Sequence, residues 1–148
     1  MNSQQLSIGC LSLTVAEGWE EITATVDSPD SPLTIADPNS GVGALQFSPA
    51  IYKAGVLPNV TSQDLFEMLS QFAASRGLES PFDQAAYPGD TFAVGESFRI
   101  GTDFVRVWYC SDGKNIVLVT YVCDWSQKDS EAEQREMAIR SIRFTNPA

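Results

Sequence analysis

Hydrophobic and polar residues alternate along several segments of the chain, a pattern typical of half-buried β-strands. The first such segment is 11–15, and Gly18-Trp19 then marks a turn into an apolar segment at 22–26. We therefore predict an opening hairpin made of these two segments. Two further strands are predicted at 33–36 and 43–51, because residues that form turns flank both segments.

The turn-forming residues lie at 27–32 and 37–41. The second segment reads Asp37-Pro-Asn-Ser-Gly41, which is similar to the first positions of a calcium-binding loop. Neither the later ligands nor the terminal glutamate of such a loop follows, so we predict a simple turn.

Two helices are predicted. Thr61 and Asp64 have the spacing of a capping box, and apolar residues from 65 to 73 then fall on one helical stripe that ends before Gly77. A second, charged helix is predicted at 130–140, where glutamate and arginine are spaced i,i+4. These predicted ion pairs are Glu131/Arg135 and Glu136/Arg140.

Residues 78–90 contain two prolines and a glycine and are predicted to be a loop. Three consecutive antiparallel strands follow at 92–100, 104–110 and 115–123, and a short segment at 141–144 closes the chain. We find no internal repeat and no second hydrophobic unit. The sequence therefore predicts a single α+β domain over residues 1–148, with an antiparallel β-sheet flanked by helices.

The hairpin formed by the last two of these strands is apolar on both faces. If its loop spans 111–114, the residues pair so that their numbers sum to 225. One face then carries Phe104, Arg106, Trp108, Val117, Val119 and Tyr121, and the other carries Val105, Val107, Tyr109, Ile116, Leu118 and Thr120. Both faces require cover, from a second layer of the chain, a homodimer partner or a ligand. The first face combines aromatic residues with arginine, as binding hot spots do, and is our predicted partner-binding face.

Charge narrows the class of partner. The formal net charge of −10 at pH 7 results from 19 acidic and 9 basic residues, and no lysine or arginine occurs before Lys53. Binding to nucleic acid or insertion into an anionic membrane is therefore not expected. A basic protein is the complementary partner, although acidity can also serve solubility alone.

The sequence contains no histidine. This absence excludes Ser-His-Asp and Cys-His nucleophiles, histidine bases and histidine metal sites. Paired carboxylates remain at Glu20/Glu21 and Asp27/Asp30, but neighbours on a strand point to opposite faces and the second pair lies in a proline-rich turn. We therefore predict a protein that is not an enzyme and that has no cofactor and no metal site.

Three cysteines, Cys10, Cys110 and Cys123, show neither CxxC nor metal-type spacing and are predicted to be small buried residues in a reducing compartment. The segment 6–10 lies too close to Met1 to serve as a lipoprotein signal. We expect a cytoplasmic protein, unless a targeting segment precedes the numbered sequence.

The order of these elements resembles that of the PsbP-like and DcrB-like domains, which are α/β/α sandwiches. The resemblance extends from about residue 11 to residue 144, and Ala16-Glu17 replaces the proline that often precedes the Gly-Trp turn. The matching segments are Leu11-Ser-Leu-Thr-Val15, Gly18-Trp19-Glu20, the helix from Thr61, 104–110, 116–122 and Ser141-Ile-Arg-Phe144.

This resemblance implies a non-enzymatic accessory protein. Bacterial members are similar to dimeric chaperones or adaptors that hold apolar segments of type VI secretion effectors, which suits the two-sided hairpin. Immunity proteins that block a toxin are a related interpretation, which suits the acidic N-terminal third. The alternative is a small-ligand module, lipid-binding or photosynthetic-accessory in kind, with a closed apolar pocket. A carboxylate- or thiol-based enzyme is the third interpretation.

Overall fold

The computed structural model describes residues 2–22 and 33–145 of the chain. Within these ranges the protein has an α+β fold, as predicted, in which a large and a small antiparallel sheet pack with two α-helices. The predicted segments 23–26 and 27–32 lie outside the described residues. The predicted turn at 37–41 is confirmed, because the Asp37 carboxylate accepts hydrogen bonds from the backbone N–H groups of Asn39 and Ser40.

The small sheet has the order β1-β2-β10 and is built from β1 (Ser3–Ile8), β2 (Leu11–Ala16) and β10 (Arg143–Phe144). The described hairpin joins β1 to β2. The segment 22–26, predicted as the partner of 11–15, lies outside the described residues except for Ile22. Sequence patterning missed β1 because most of its side chains are polar and exposed.

In the part of the chain that the structure describes, the large sheet has seven strands. In spatial order these are β3 (Glu20–Glu21), β4 (Leu33–Ala36), β5 (Ala44–Ala50), β9 (Ile116–Asp124), β8 (Asp103–Ser111), β7 (Phe92–Ile100) and β6 (Phe82–Tyr87). The strands predicted at 33–36, 43–51, 92–100, 104–110 and 115–123 are confirmed. The loop predicted at 78–90 is wrong where β6 lies, because a bulge and a positive φ of 56° at Asp83 interrupt the alternation of this edge strand.

The pairing of β8 with β9 confirms both predicted faces of the hairpin. Phe104 pairs with Cys123 and Ser111 with Ile116, so the loop is 112–115 and the paired residue numbers sum to 227 instead of 225. A shift of two residues leaves every side chain on the same face, because side chains alternate with a period of two.

The helices cover opposite faces of the large sheet. α1 (Ser62–Ser75) begins at the predicted capping box of Thr61 and Asp64 and packs Leu65, Leu69 and Ala73 against β7 and β8. α2 (Ala132–Ser141) and the small sheet cover the other face, where Ala138 and Ile139 join the larger hydrophobic core. The result is a layered sandwich whose central sheet is apolar on both faces.

Candidate functional site

The predicted partner-binding face lies in the core of the protein. Each of its six side chains is at most 4% exposed: Phe104, Arg106, Trp108, Val117, Val119 and Tyr121. α2 and the small sheet cover this face, so the cover is supplied by the chain itself. The prediction that these residues form an open contact surface is therefore corrected. Aromatic residues beside an arginine occur in protein cores as well as in interfaces, and patterning cannot separate the two.

Arg106 is a buried charge that is held by hydrogen bonds. Its Nη1 donates to Ser97 Oγ at 2.7 Å and to the Asp83 carbonyl at 2.9 Å, and its Nη2 donates to the Tyr87 hydroxyl at 3.3 Å. Its Nε lies 3.6 Å from Oε1 of Glu136 on α2. The guanidinium thus connects the edge strand β6 to α2, and it lies close to the Glu136 carboxylate, which balances its charge.

Tyr87 connects the members of this network. Its hydroxyl donates to Glu136 Oε2 at 2.7 Å and accepts from Trp108 Nε1 at 3.3 Å. Burial raises the pKa of Tyr87, and the hydrogen bond to Glu136 raises it further, against a lowering by Arg106. The phenol therefore stays protonated and keeps its proton directed at Glu136.

A second network of the same kind lies beside it. The Tyr121 hydroxyl donates to Glu131 Oε1 at 2.6 Å, and Gly43 N–H donates to the same oxygen at 3.1 Å. Burial and the Glu131 carboxylate both raise the pKa of Tyr121. Arg135 packs its guanidinium over the rings of Phe104 and Tyr121 and donates from Nη1 to a backbone carbonyl.

The predicted i,i+4 ion pairs of α2 are wrong. Among the described residues neither Glu131/Arg135 nor Glu136/Arg140 forms a salt bridge, because both carboxylates turn toward the sheet and accept hydrogen bonds from tyrosine hydroxyls. The Glu131 and Glu136 side chains thus contact the core instead of pairing with arginines on the helix surface.

These two networks border an open cleft of about 330 Å³ between β6 and α2. Tyr87, Arg106, Arg135, Glu136 and Arg140 contribute to its walls. The Nε atoms of Arg106 and Arg135 are buried, and neither has a hydrogen-bond partner among the described residues. Sequence reasoning singled out Arg106 but missed Tyr87, which lies in the strand predicted as a loop. It assigned Arg140 only to an ion pair with Glu136 and not to this cleft.

A second surface lies on the α1 side of the large sheet. α1 packs over β7 and β8, whereas β5 and β9 present exposed or half-buried side chains on that side. We call this surface the open face and define it as Gln46, Ser48, Ile100, Asp103, Thr120, Val122 and Asp124. Its two aliphatic side chains are strongly exposed, Ile100 at 49% and Val122 at 46%.

The groups considered for catalysis are not brought together in the part of the chain that the structure describes. Glu20 and Glu21 are exposed and point to opposite faces of β3, and Asp27/Asp30 lies outside the described residues. Burial raises the pKa of the Cys110 thiol to about 12, so it does not form a thiolate at neutral pH. Within residues 2–22 and 33–145, no three cysteine or acidic side chains come together as a metal site would require.

No helix in these two ranges has both the length and the apolar composition needed to cross a bilayer.

Comparison with known proteins identifies the fold. Neither a protein-family profile nor a curated protein sequence matches the chain. The solution structure of cyanobacterial PsbP (CyanoP) from Synechocystis sp. PCC 6803 is similar with a TM-score of 0.61 and 12% identity, covering 97% of this chain and 92% of that one. The Ran-binding protein Mog1p of Saccharomyces cerevisiae is similar with a TM-score of 0.67 and 9% identity, covering 99% and 97%.

A third similar structure, a protein of Bacteroides thetaiotaomicron VPI-5482, has a TM-score of 0.63 and 14% identity, and this chain spans 50% of its length. At such identities the likeness concerns the backbone fold alone. It agrees with the predicted PsbP-like sandwich, in which an antiparallel sheet is flanked by helices.

Proposed function

We propose that this chain is a non-enzymatic protein-binding domain that holds a basic, partly apolar segment of a partner protein on its open face. The observation that carries the proposal is a row of exposed side chains in which aliphatic residues stand beside two carboxylates that form no salt bridge in the described part of the chain. One of the two, Asp124, accepts hydrogen bonds from the backbone N–H and the hydroxyl of Ser126. Ile100, Asp103 and Asp124 are neighbours across β7, β8 and β9. Val122 lies two residues before Asp124 on the same face of β9.

The carboxylates favour a cationic partner. Asp103 and Asp124 are directly opposed in the register of β8 and β9, and like charges in this arrangement are destabilising. A lysine or arginine from a partner would relieve this repulsion, and the net charge of −10 would attract such a partner over a longer distance. The exposed aliphatic side chains would add apolar contact area.

The comparisons agree with a binding role. The yeast protein of this fold is named for binding Ran, and its fold covers nearly the whole of the present chain. The finer role that we propose for the chain is that of a bacterial chaperone, adaptor or immunity protein of a secretion or toxin system, which would use the open face to hold its partner.

The runner-up is a small-ligand module of the PsbP-like class, for which the likeness to CyanoP is the support. A lipid-like ligand needs an enclosed apolar pocket. Besides the β6–α2 cleft, a cleft of about 430 Å³ is lined by residues 51–53, 112, 114, 115, 144 and 145. Both clefts are open and are lined largely by charged and polar side chains. A lipid-like ligand that co-purifies in native mass spectrometry would favour this alternative.

Site-specific cross-linking in the native host tests the proposal. A photoreactive amino acid is placed at Val122 on the open face and, as the control, at Glu133, which is exposed on α2 on the opposite side of the sheet. We expect a basic protein, identified by mass spectrometry, to be cross-linked from position 122 and not from position 133.

Equal cross-linking from both positions, or none from position 122, would contradict the proposal. Cross-links from position 122 to a second copy of the chain would assign the open face to a homodimer instead of a basic partner.

A further inference from the structure

The small sheet ends on β1, and the backbone groups on the outer side of this strand have no partner in the described part of the chain. β1 pairs with β2 in a regular register, and the Glu17 N–H donates to the Asn2 carbonyl at 3.0 Å in the same ladder. Hydrogen-bonded and non-hydrogen-bonded pairs alternate in an antiparallel ladder, so Ser3, Gln5 and Ser7 direct their N–H and C=O groups away from β2. We call these three residues the β1 edge. Their side chains are exposed.

The other sheet edges in the described part of the chain carry features that prevent pairing with a further strand. β3 and β10 are two residues long and contain Glu20, Glu21 and Arg143. β6 has a register shift and a positive φ of 56° at Asp83. Short length, charge and bulges are common ways in which proteins protect an edge. β1 has none of them, because it is six residues long, regular in register, and free of charge and of proline.

Charge indicates which strand the β1 edge accepts. No charged side chain occurs in the sequence before Glu17, so the β1 edge is neutral in a protein with a net charge of −10. A basic segment is attracted to the acidic surfaces of the molecule and gains no charge pairing on β1. A second copy of the chain carries the same negative charge and is repelled by those surfaces, but it meets no charged side chain on this strand.

The sequence of β1 is also complementary to itself. When two copies pair antiparallel around a two-fold axis at Gln5, this residue lies opposite Gln5 of the second copy, and Ser3 lies opposite Ser7. These are the residues whose backbone groups point outward, so the same register satisfies all of them. Pairs of hydroxyl side chains across strands stabilise an antiparallel ladder, and no like charges oppose one another here.

We propose that the β1 edge joins a second copy of the chain in a two-fold dimer, in which the two small sheets form one continuous sheet of order β10-β2-β1-β1-β2-β10. This interface goes beyond the proposed partner binding, because it uses neither the open face nor the β6–α2 cleft. The dimer presents two open faces, one from each copy.

Sedimentation velocity over a series of protein concentrations tests the dimer. An interface of one strand pair is small, so we expect a change from one chain to two with a dissociation constant of about 10–100 µM. Gln5→Lys places two lysines opposite each other at the axis and should weaken dimerisation by about three- to tenfold, although it makes each copy less negative. Gln71→Lys is the matched control, because it makes the same change at an exposed position of α1, on the other side of the large sheet. It should leave dimerisation unchanged.

An equimolar mixture of the Gln5→Lys and Gln5→Glu proteins tests the position of the axis. The introduced lysine and glutamate face each other only if the axis lies at Gln5, and the mixture should then dimerise more tightly than either variant alone. A protein that stays a single chain at about 1 mM, equal effects of Gln5→Lys and Gln71→Lys, or a mixture no tighter than its components would overturn the proposal. A photoreactive amino acid at position 5 that cross-links in the native host only to a different protein would also overturn it.

Discussion

Gly95 lies directly opposite Trp108 in the register of β7 and β8. A Cβ atom at Gly95 would lie 2.6 Å from Cδ1 and 3.0 Å from Nε1 of Trp108, whose side chain is fully buried. Glycine inside a strand is often explained by such a close approach. The position of the Trp108 indole, which donates a hydrogen bond to the Tyr87 hydroxyl, therefore requires that residue 95 has no side chain.

Gly95→Ala should destabilise the protein by about 1–3 kcal/mol, because the indole must move out of a packed position. Urea unfolding monitored by tryptophan fluorescence measures the change. Ser48→Ala, at an exposed position of β5, is the control and should change the free energy of unfolding by less than about 0.5 kcal/mol. A Gly95→Ala protein as stable as the control would show that the sheet adapts around Trp108.

At this scale the sequence predicted which residues share a face but not which face meets solvent. The alternation along β8 and β9 placed Arg106, Trp108 and Tyr121 together correctly. Their burial depends on α2 and the small sheet, whose position is set by contacts between residues far apart in the chain. The roles of Tyr87 and Glu136 were not predictable for the same reason, since residues 49 positions apart meet only after folding.

Among the elements, α1 is the one whose boundaries follow most directly from local chemistry. Thr61 Oγ1 accepts from Asp64 N–H at 3.2 Å, and Asp64 Oδ2 accepts from Thr61 N–H at 2.8 Å. This is the reciprocal bonding of a capping box, with aspartate in the place of glutamate. Both partners are close in sequence, so the sequence predicted this helix start correctly.

Thr61→Ala should cost about 1 kcal/mol of unfolding free energy, within a usual range of about 0.5–2 kcal/mol for the loss of an N-cap. Thr61→Ser keeps the hydroxyl, so its free energy of unfolding should stay close to that of the natural protein. Equilibrium unfolding gives the free energies, and hydrogen exchange at the first turn of α1 should accelerate in the alanine variant alone. Equal stability of the two variants would mean that the cap does not stabilise α1.

The strands show where patterning stops being informative. β5, β7, β8 and β9 have enough buried positions for their alternation to be visible in the sequence. β1 and β6 border their sheets, have mostly polar or exposed side chains, and were not predicted. Edge strands pack on few neighbours, so their sequences carry less of the hydrophobic period that identifies a strand.

At the scale of the whole molecule, the β6–α2 cleft and the open face differ in their balance of charge. The basic residues at the β6–α2 cleft neutralise its acids, whereas Asp103 and Asp124 on the open face are left without a basic partner in the described part of the chain. The fold was predictable because its central hairpin is apolar on both faces and must be enclosed. The binding partner was not predictable from the sequence, since one fold can support more than one function.

The affinity of charge-reversal variants for the cross-linked basic protein is the most direct test of protein binding at the open face. Asp103→Lys and Glu133→Lys change the net charge equally, the first on the open face and the second on the opposite side of the sheet. Isothermal titration calorimetry should show about tenfold weaker binding for Asp103→Lys, equivalent to about 1.4 kcal/mol, and a change of less than about twofold for Glu133→Lys. Equal weakening by both variants, or a larger loss for Glu133→Lys, would contradict binding at the open face.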